Sequence, residues 1–179
     1  MIVGKRVRLR AIERTDIPKF VTWLNDREVT EFLLWAHPLS QAEEEGWFNS
    51  MLNRPITEHP KGIEIETPEG WQLVGNTSFH DLDWTHRAAE VGIFIGDKRY
   101  WSQGYGSEAM RLMLRYGFND LNLHRIYLYV YADNLRGIHS YEKVGFIKEG
   151  TLRDAVFKNG RYQDVVEMSV LRPEWQDKE

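Results

Sequence analysis

One stretch in the second half of the chain limits its folding more than any other. Ala89–Ile95 reads as a strand, and Ser107 to Phe118 carries Met110, Met113, Leu114 and Gly117 on one helical stripe. Ile126, Leu128 and Val130 then alternate with Tyr127, Tyr129 and Tyr131, which predicts a further strand, apolar on both faces and central in its sheet. A strand, a helix and a strand in this order form a crossover. The two strands must therefore be parallel, with a right-handed connection. A ligand belongs at the carboxyl ends of such strands, here 96–106 and 132–134.

The flanking segments read as antiparallel. Arg6 to Ala11 alternates apolar and basic residues, predicting a half-buried strand with a basic outer face. Thr15-Asp16 offers N-cap chemistry before Pro18, Phe20, Trp23 and Leu24, and Ser40 with Glu43 forms a capping-box pattern opening a second helix. In that helix Trp47, Phe48, Met51 and Leu52 are the expected apolar face. Gly62 to Thr67 and Trp71 to Phe79 read as a hairpin turning at Pro68-Glu69-Gly70. A short helix from about Leu135 to Val144 stops at Gly145. Phe146 to Phe157 and Arg161 to Leu171 close the chain around Asn159-Gly160. The expected fold is α/β (α+β), a mixed, mostly antiparallel sheet with one parallel crossover, built as a single domain over 1–179.

Composition narrows the function. The 179 residues are 42% hydrophobic and 28% charged, with net charge −4, so a broad cationic face for nucleic acid is not expected. There is no cysteine, which excludes disulfides, thiolate metal sites and a cysteinyl intermediate. The first residues turn charged before any apolar run develops, and no apolar stretch approaches membrane-spanning length. A cytoplasmic protein without a membrane partner is the expectation.

Two segments carry chemistry. Tyr100 to Ala109 enters a helix through Gly104-x-Gly106, where exposed N–H groups at the positive end of a helix dipole can cradle a phosphate or pyrophosphate. It lacks the third glycine of a dinucleotide fingerprint and the Gly-Lys-Ser/Thr of a P-loop. A glycine-rich helix start without a ligand is the alternative. In the second segment Asn134 opens a helix and Tyr141 follows seven residues later, on the same face and about 10 Å along the axis. An N-cap and a core aromatic are the plain alternatives for this pair.

Trp101-Ser102-Gln103-Gly104-Tyr105-Gly106, then Ala132-Asp133-Asn134 and Ile138 to Phe146, resembles the GNAT family of acetyl-CoA-dependent N-acetyltransferases. Asn159 to Asp164, after Glu149-Gly150, resembles the branch holding ribosomal-protein N-terminal alanine acetyltransferases and spermidine acetyltransferases. The resemblance spans Lys5 to Leu171. It implies direct attack of an amine on acetyl-CoA in a ternary complex. It also implies that the main chain of Ile93, Phe94 and Ile95 pairs with the pantetheine arm, and that Trp101, Ser102, Gln103, Gly104, Tyr105 and Gly106 hold the pyrophosphate. Asn134 would bond the cofactor arm and Tyr141 would protonate the leaving thiolate. The family's loop usually begins with Arg or Gln, and Trp101 stands there instead, leaving the cradle to backbone amides.

The base is read from the residues. Glu90 lies in an otherwise apolar strand with Gly92 on the same face, placed to receive the amine's proton. A structural partnership with Arg87 or His86 is the competing reading. His80, Asp81, Asp83 and His86 crowd one connection, but no metal-ligand spacing supports a metal, and none is expected. His139 faces away from Asn134 and Tyr141 and is expected in solvent. In spermidine acetyltransferases the loop between the first two helices usually carries acidic residues. Phe32 to Pro38 has none, so Trp35 is taken as an acceptor contact and a peptide N-terminus or an apolar small-molecule amine is favoured over a polyamine. A polyamine acetyltransferase, and a non-catalytic acyl-CoA-binding regulatory module, are the alternatives. A homodimer is left open.

Overall fold

The computed structural model describes residues 1–34 and 37–177. The strands are β1 (Ile2–Val3), β2 (Val7–Ala11), β3 (Lys61–Thr67), β4 (Gly70–Asp83), β5 (Ala88–Ile95), β6 (Arg125–Tyr131), β7 (Ile147–Lys158) and β8 (Arg161–Leu171). The helices are α1 (Ile17–Leu24), α2 (Arg27–Thr30), α3 (Gln41–Met51), α4 (Tyr105–Arg115) and α5 (Leu135–Val144). All eight strands form one sheet in the order β1-β2-β3-β4-β5-β6-β8-β7. Every neighbouring pair is antiparallel except β5 with β6, the expected parallel pair joined through α4. No helix among the described residues is long and apolar enough to cross a membrane.

Alternation along the strands sorts the two faces. Val7, Leu9, Ile63, Ile65, Phe79, Val91, Ile126, Leu128 and Met168 pack with Met110, Met113 and Leu114 of α4 into the main core. On the opposite face Phe20 of α1 and Phe48 and Met51 of α3 cluster with Leu73 and the ring of Phe94. These two helices cover that face only beside β4 and β5. Over β6 that face is open at Tyr129, 45% exposed, and closed at Tyr131, 4% exposed beneath Phe32, so β6 is interior in the sheet but not buried along the whole of both sides, as the alternation had suggested.

Local chemistry explains most boundaries. The Ser40 hydroxyl accepts from Glu43 N at 3.2 Å and the Glu43 carboxylate accepts from Ser40 N at 2.8 Å, a complete capping box for α3. Gly145 stops α5 in the left-handed region at φ +112°. Other expectations need correction. Asp16 does not cap α1; its carboxylate accepts from Glu13 N at 2.8 Å, closing the one-turn helix before it, and binds Arg10. Leu52 is 55% exposed, because it follows α3 and falls outside the face that Phe48 and Met51 present. Helix α4 starts at Tyr105, and past Arg115 it widens into a π turn over Tyr116–Asp120, where a Cβ on Gly117 would meet Ile126 at 2.6 Å. The arginines of β2 are not a free outer face. Arg8 and Arg10 both donate to the buried carboxylate of Glu64, at 2.5 and 2.7 Å.

Candidate active site

The parallel pair is short. Ala88, Ala89 and Glu90 pair with Arg125, Ile126 and Tyr127, and the ladder ends there. Beyond it β5 stays bonded to β4 as far as Ile95, while β6 stays bonded to β8 as far as Tyr131. The two strands diverge, and a cleft of about 880 Å³ opens between them. On β5, Gly92 O accepts from Thr77 of β4 and Gly96 N donates to Val74, so the intervening Ile93 and Ile95 turn their main-chain groups toward the gap. An extended polar chain laid in the gap would complete the sheet. The main chain of Phe94 borders the cleft too, but its ring lies in the aromatic cluster with Phe20 and Trp23, at 6.3 and 6.4 Å.

At the carboxyl end of β5 the chain turns through Ser102 at φ +59° and Gly104 at φ +87° into α4. Among the described residues no backbone carbonyl accepts from the N–H groups of Ser102, Gln103 or Gly104, and those of Tyr105 and Gly106 are orphans of the first helical turn. A Cβ on Gly106 would make one ordinary van der Waals contact, with Ile95 Cγ1 at 3.8 Å, and clash with nothing. The glycine thus keeps room for something other than protein. The residues present fit a pyrophosphate with an extended arm. Gln103 is not among the residues lining the cleft, and its side chain donates to Arg99 O at 2.7 Å.

Trp101 has an occupation of its own. Its indole Nε1 donates to Ile95 O at 2.7 Å, closing the open edge of β5, and the Arg136 guanidinium stacks over its ring at 4.2 Å. A cation therefore stands at this corner after all, supplied by α5. Lys143 and His139 border the same cleft. His139 is exposed, as expected, yet it sits at the cleft rim and not on a remote face. Sequence spacing concealed these three residues because they matter only after α5 is docked beside α4, where Ser140 and Ser107 share a hydrogen bond of 2.7 Å.

Asn134 caps α5, its Oδ1 accepting from Gly137 N at 3.0 Å, and it borders the cleft. The cap is confirmed, and the Nδ2 donor makes no hydrogen bond among the described residues. Tyr141 borders the same cleft with its ring edge against Phe146 at 5.9 Å. Burial pushes its phenol up to about 12, so the hydroxyl keeps its proton.

At the apex, Glu90 lies opposite His80 on β4 and Tyr127 on β6. Its carboxylate forms no ion pair among the described residues, while His86 is taken by Asp83 at 2.9 Å, so the structural-partner reading fails. Burial, with Asp81 nearby, raises the Glu90 carboxyl above its ordinary value. His80 is the neighbour that the sequence did not single out as a proton carrier. Its Nε2 shares a hydrogen bond of 2.8 Å with Ser78, it borders the cleft, and burial lowers its pKa. No cluster of three metal-ligating side chains exists among the described residues.

The far wall consists of Phe32, Leu33 and Leu34 facing Tyr131, Leu152 and Val156. Trp35 lies outside the described residues. Glu28 reaches this wall, with its carboxylate bound by Lys98 at 2.8 Å.

A diverging parallel pair, an amide cradle, and a carboxylate without an ion pair among the described residues that lines the same cleft as a protonated phenol fit an acyltransferase that takes its acyl group from a nucleotide thioester. The family profile described as acetyltransferase (GNAT) domain matches residues 6–147, and the chain belongs to that family. It is an acetyl-CoA-dependent N-acetyltransferase. Spermidine N(1)-acetyltransferase of Vibrio cholerae is 30% identical over 173 residues, 97% of each chain. YdaF of Bacillus subtilis, a proposed ribosomal N-acetyltransferase, is 34% identical over 115 residues, 64% of this chain and 62% of its own. The crystal structure of the Vibrio cholerae spermidine N-acetyltransferase with CoA and spermine superposes at TM-score 0.85 with 31% identity, covering 96% of this chain and 98% of that one.

Proposed function

We propose that the acceptor is a primary amine with one cationic head on an apolar body, the α-amino group of a peptide or a small molecule of that shape. The acceptor wall carries this reading. It is aromatic and aliphatic, and its carboxylates among the described residues are Glu90 at the apex and Glu28, already answered by Lys98. An apolar body gains about 25 cal/mol per Å² buried there, whereas a second ammonium would lose hydration without a free anion to meet it.

Acetyl-CoA supplies the acetyl group as a thioester. The main chain of Ile93, with Ile95 N, holds its arm in the gap, and the amides of 102–106 hold the pyrophosphate with Arg136 beside them. Asn134 Nδ2 donates to the arm. Glu90, its carboxyl raised above its ordinary value by burial, takes a proton from the acceptor's ammonium, directly or through water, and the neutral amine then attacks the thioester carbonyl. Tyr141 Oη–H gives its proton to the sulfur as the thiol leaves and is restored by the second proton that the nitrogen sheds, while Glu90 passes the first to water. Amine and thioester become amide and thiol, with no group left on the protein.

Thiol release from acetyl-CoA, measured across N-terminal peptides, simple alkyl and aryl amines and spermidine, tests the acceptor. The highest kcat/KM is expected for a monoamine with an apolar body. A second reading, polyamine acetylation, is favoured by the names of the Vibrio cholerae relatives. Spermidine as the best acceptor would establish it in place of the first.

A further inference from the structure

Lys158 ends β7, nine-tenths buried, and reaches across to the segment after α2. Its ammonium donates to the carbonyls of Thr30 at 2.5 Å, Glu31 at 3.0 Å and Leu33. Three acceptors engage three N–H donors, which only the charged ammonium possesses. No carboxylate lies within 4 Å of it among the described residues. Burial lowers the Lys158 pKa, and the solvent-exposed Glu31 carboxylate opposes that shift. The same ammonium stands 5.7 Å from the centre of the Tyr131 ring, which is 4% exposed and packs against Phe32 at 6.2 Å. A fixed positive charge is thus lodged directly behind the acceptor wall.

Resting on the acceptor class proposed above, we infer that Lys158 is a specificity-determining residue that excludes polycationic amines from the cleft. Its three hydrogen bonds hold Phe32, Leu33 and Leu34 as an apolar wall. Its charge, weakly screened in a protein interior, repels a second ammonium laid along that wall. A monoamine leaves its only charge at Glu90 and meets carbon. Lys98 works in the same direction from the other side by neutralising Glu28 and Asp26, at 2.8 and 2.7 Å.

The test compares an alkylamine with the α,ω-diamine of equal length, in the wild type, Lys158→Met and Lys158→Arg. In the wild type the monoamine should have the higher kcat/KM. Lys158→Met should narrow the gap by about tenfold, the effect of removing roughly 1.4 kcal/mol of repulsion. The change should come through a lower KM for the diamine, with KM for acetyl-CoA unchanged. Lys158→Arg keeps the charge and should keep the gap. Equal loss of both amines in Lys158→Met would reduce Lys158 to a loop fastening and overturn the inference, as would an unchanged ratio. Lys158→Gln, which keeps donors without charge, makes the same comparison if the methionine variant does not fold. Wild-type preference for the diamine would refute the acceptor class alone. In that event a further rise in diamine turnover on Lys158→Met supports the role of Lys158, and no rise overturns it.

Discussion

Two side-chain changes isolate the proposed chemistry from the packing around it. Tyr141→Phe removes one hydroxyl and keeps the ring against Phe146. Because burial holds the phenol near 12, it stays a donor across the neutral range, and its loss should lower kcat about tenfold or more. Acetyl-CoA affinity and melting temperature should hardly move, and pre-steady-state bursts would show whether chemistry limits the rate. Unchanged single-turnover rates would remove Tyr141 from the reaction. Gly106→Ala is the cleaner probe of the cradle. Gly104 needs φ +87°, so any replacement there is strained, whereas a Cβ on Gly106 meets no protein atom closer than 3.8 Å. Calorimetry of Gly106→Ala should show CoA and acetyl-CoA weakened alike with an intact fold, and equal affinity to wild type would move the pyrophosphate elsewhere.

Among the elements, the crossover, both hairpins, the α3 capping box and the Gly145 stop were legible, because each depends on periodicity or on chemistry within four residues. The additional features arise between elements. Nothing near Arg136 in sequence announces that it will stack on Trp101, or that Trp101 will bond Ile95 O. The base reading at Glu90 gained from what its neighbours do, since His86 and Asp83 satisfy each other. Glu64 shows the same limit: alternation marked Arg8 and Arg10 as an outer face, but only β3 beside β2 supplies the carboxylate that gathers them. Burial alone would raise the Glu64 carboxyl, and the bonds from Arg10 and Arg8 outweigh it and hold the group below 4.5. A depressed carboxylate adds stability that is complete above its unfolded value and is lost as pH falls through the folded one. Denaturant midpoints should therefore drop below about pH 4.5 in the wild type, with a shallower slope in Glu64→Gln. At neutral pH that variant should lose about 2–4 kcal/mol, less than a fully buried pair because the guanidinium groups stay 26% and 23% exposed.

At the scale of the whole molecule, the ladder joining β1 to β5 with β6, β8 and β7 has three residue pairs, with Arg87 O accepting from His124 N and Arg125 N at its start, and beyond Glu90 the seam is open. A donor whose arm pairs with Ile93 and Ile95 acts as a removable cross-link between two half-sheets. Ligand that binds only the folded chain stabilises it by about 2.7 kcal/mol at a hundred times its dissociation constant. Amide exchange at Ile93 should slow sharply with CoA, and the melting temperature should climb with its concentration; an amide that exchanges equally fast with and without CoA would deny the cross-link. The protein's resistance to heat then becomes a gauge of how much thioester surrounds it.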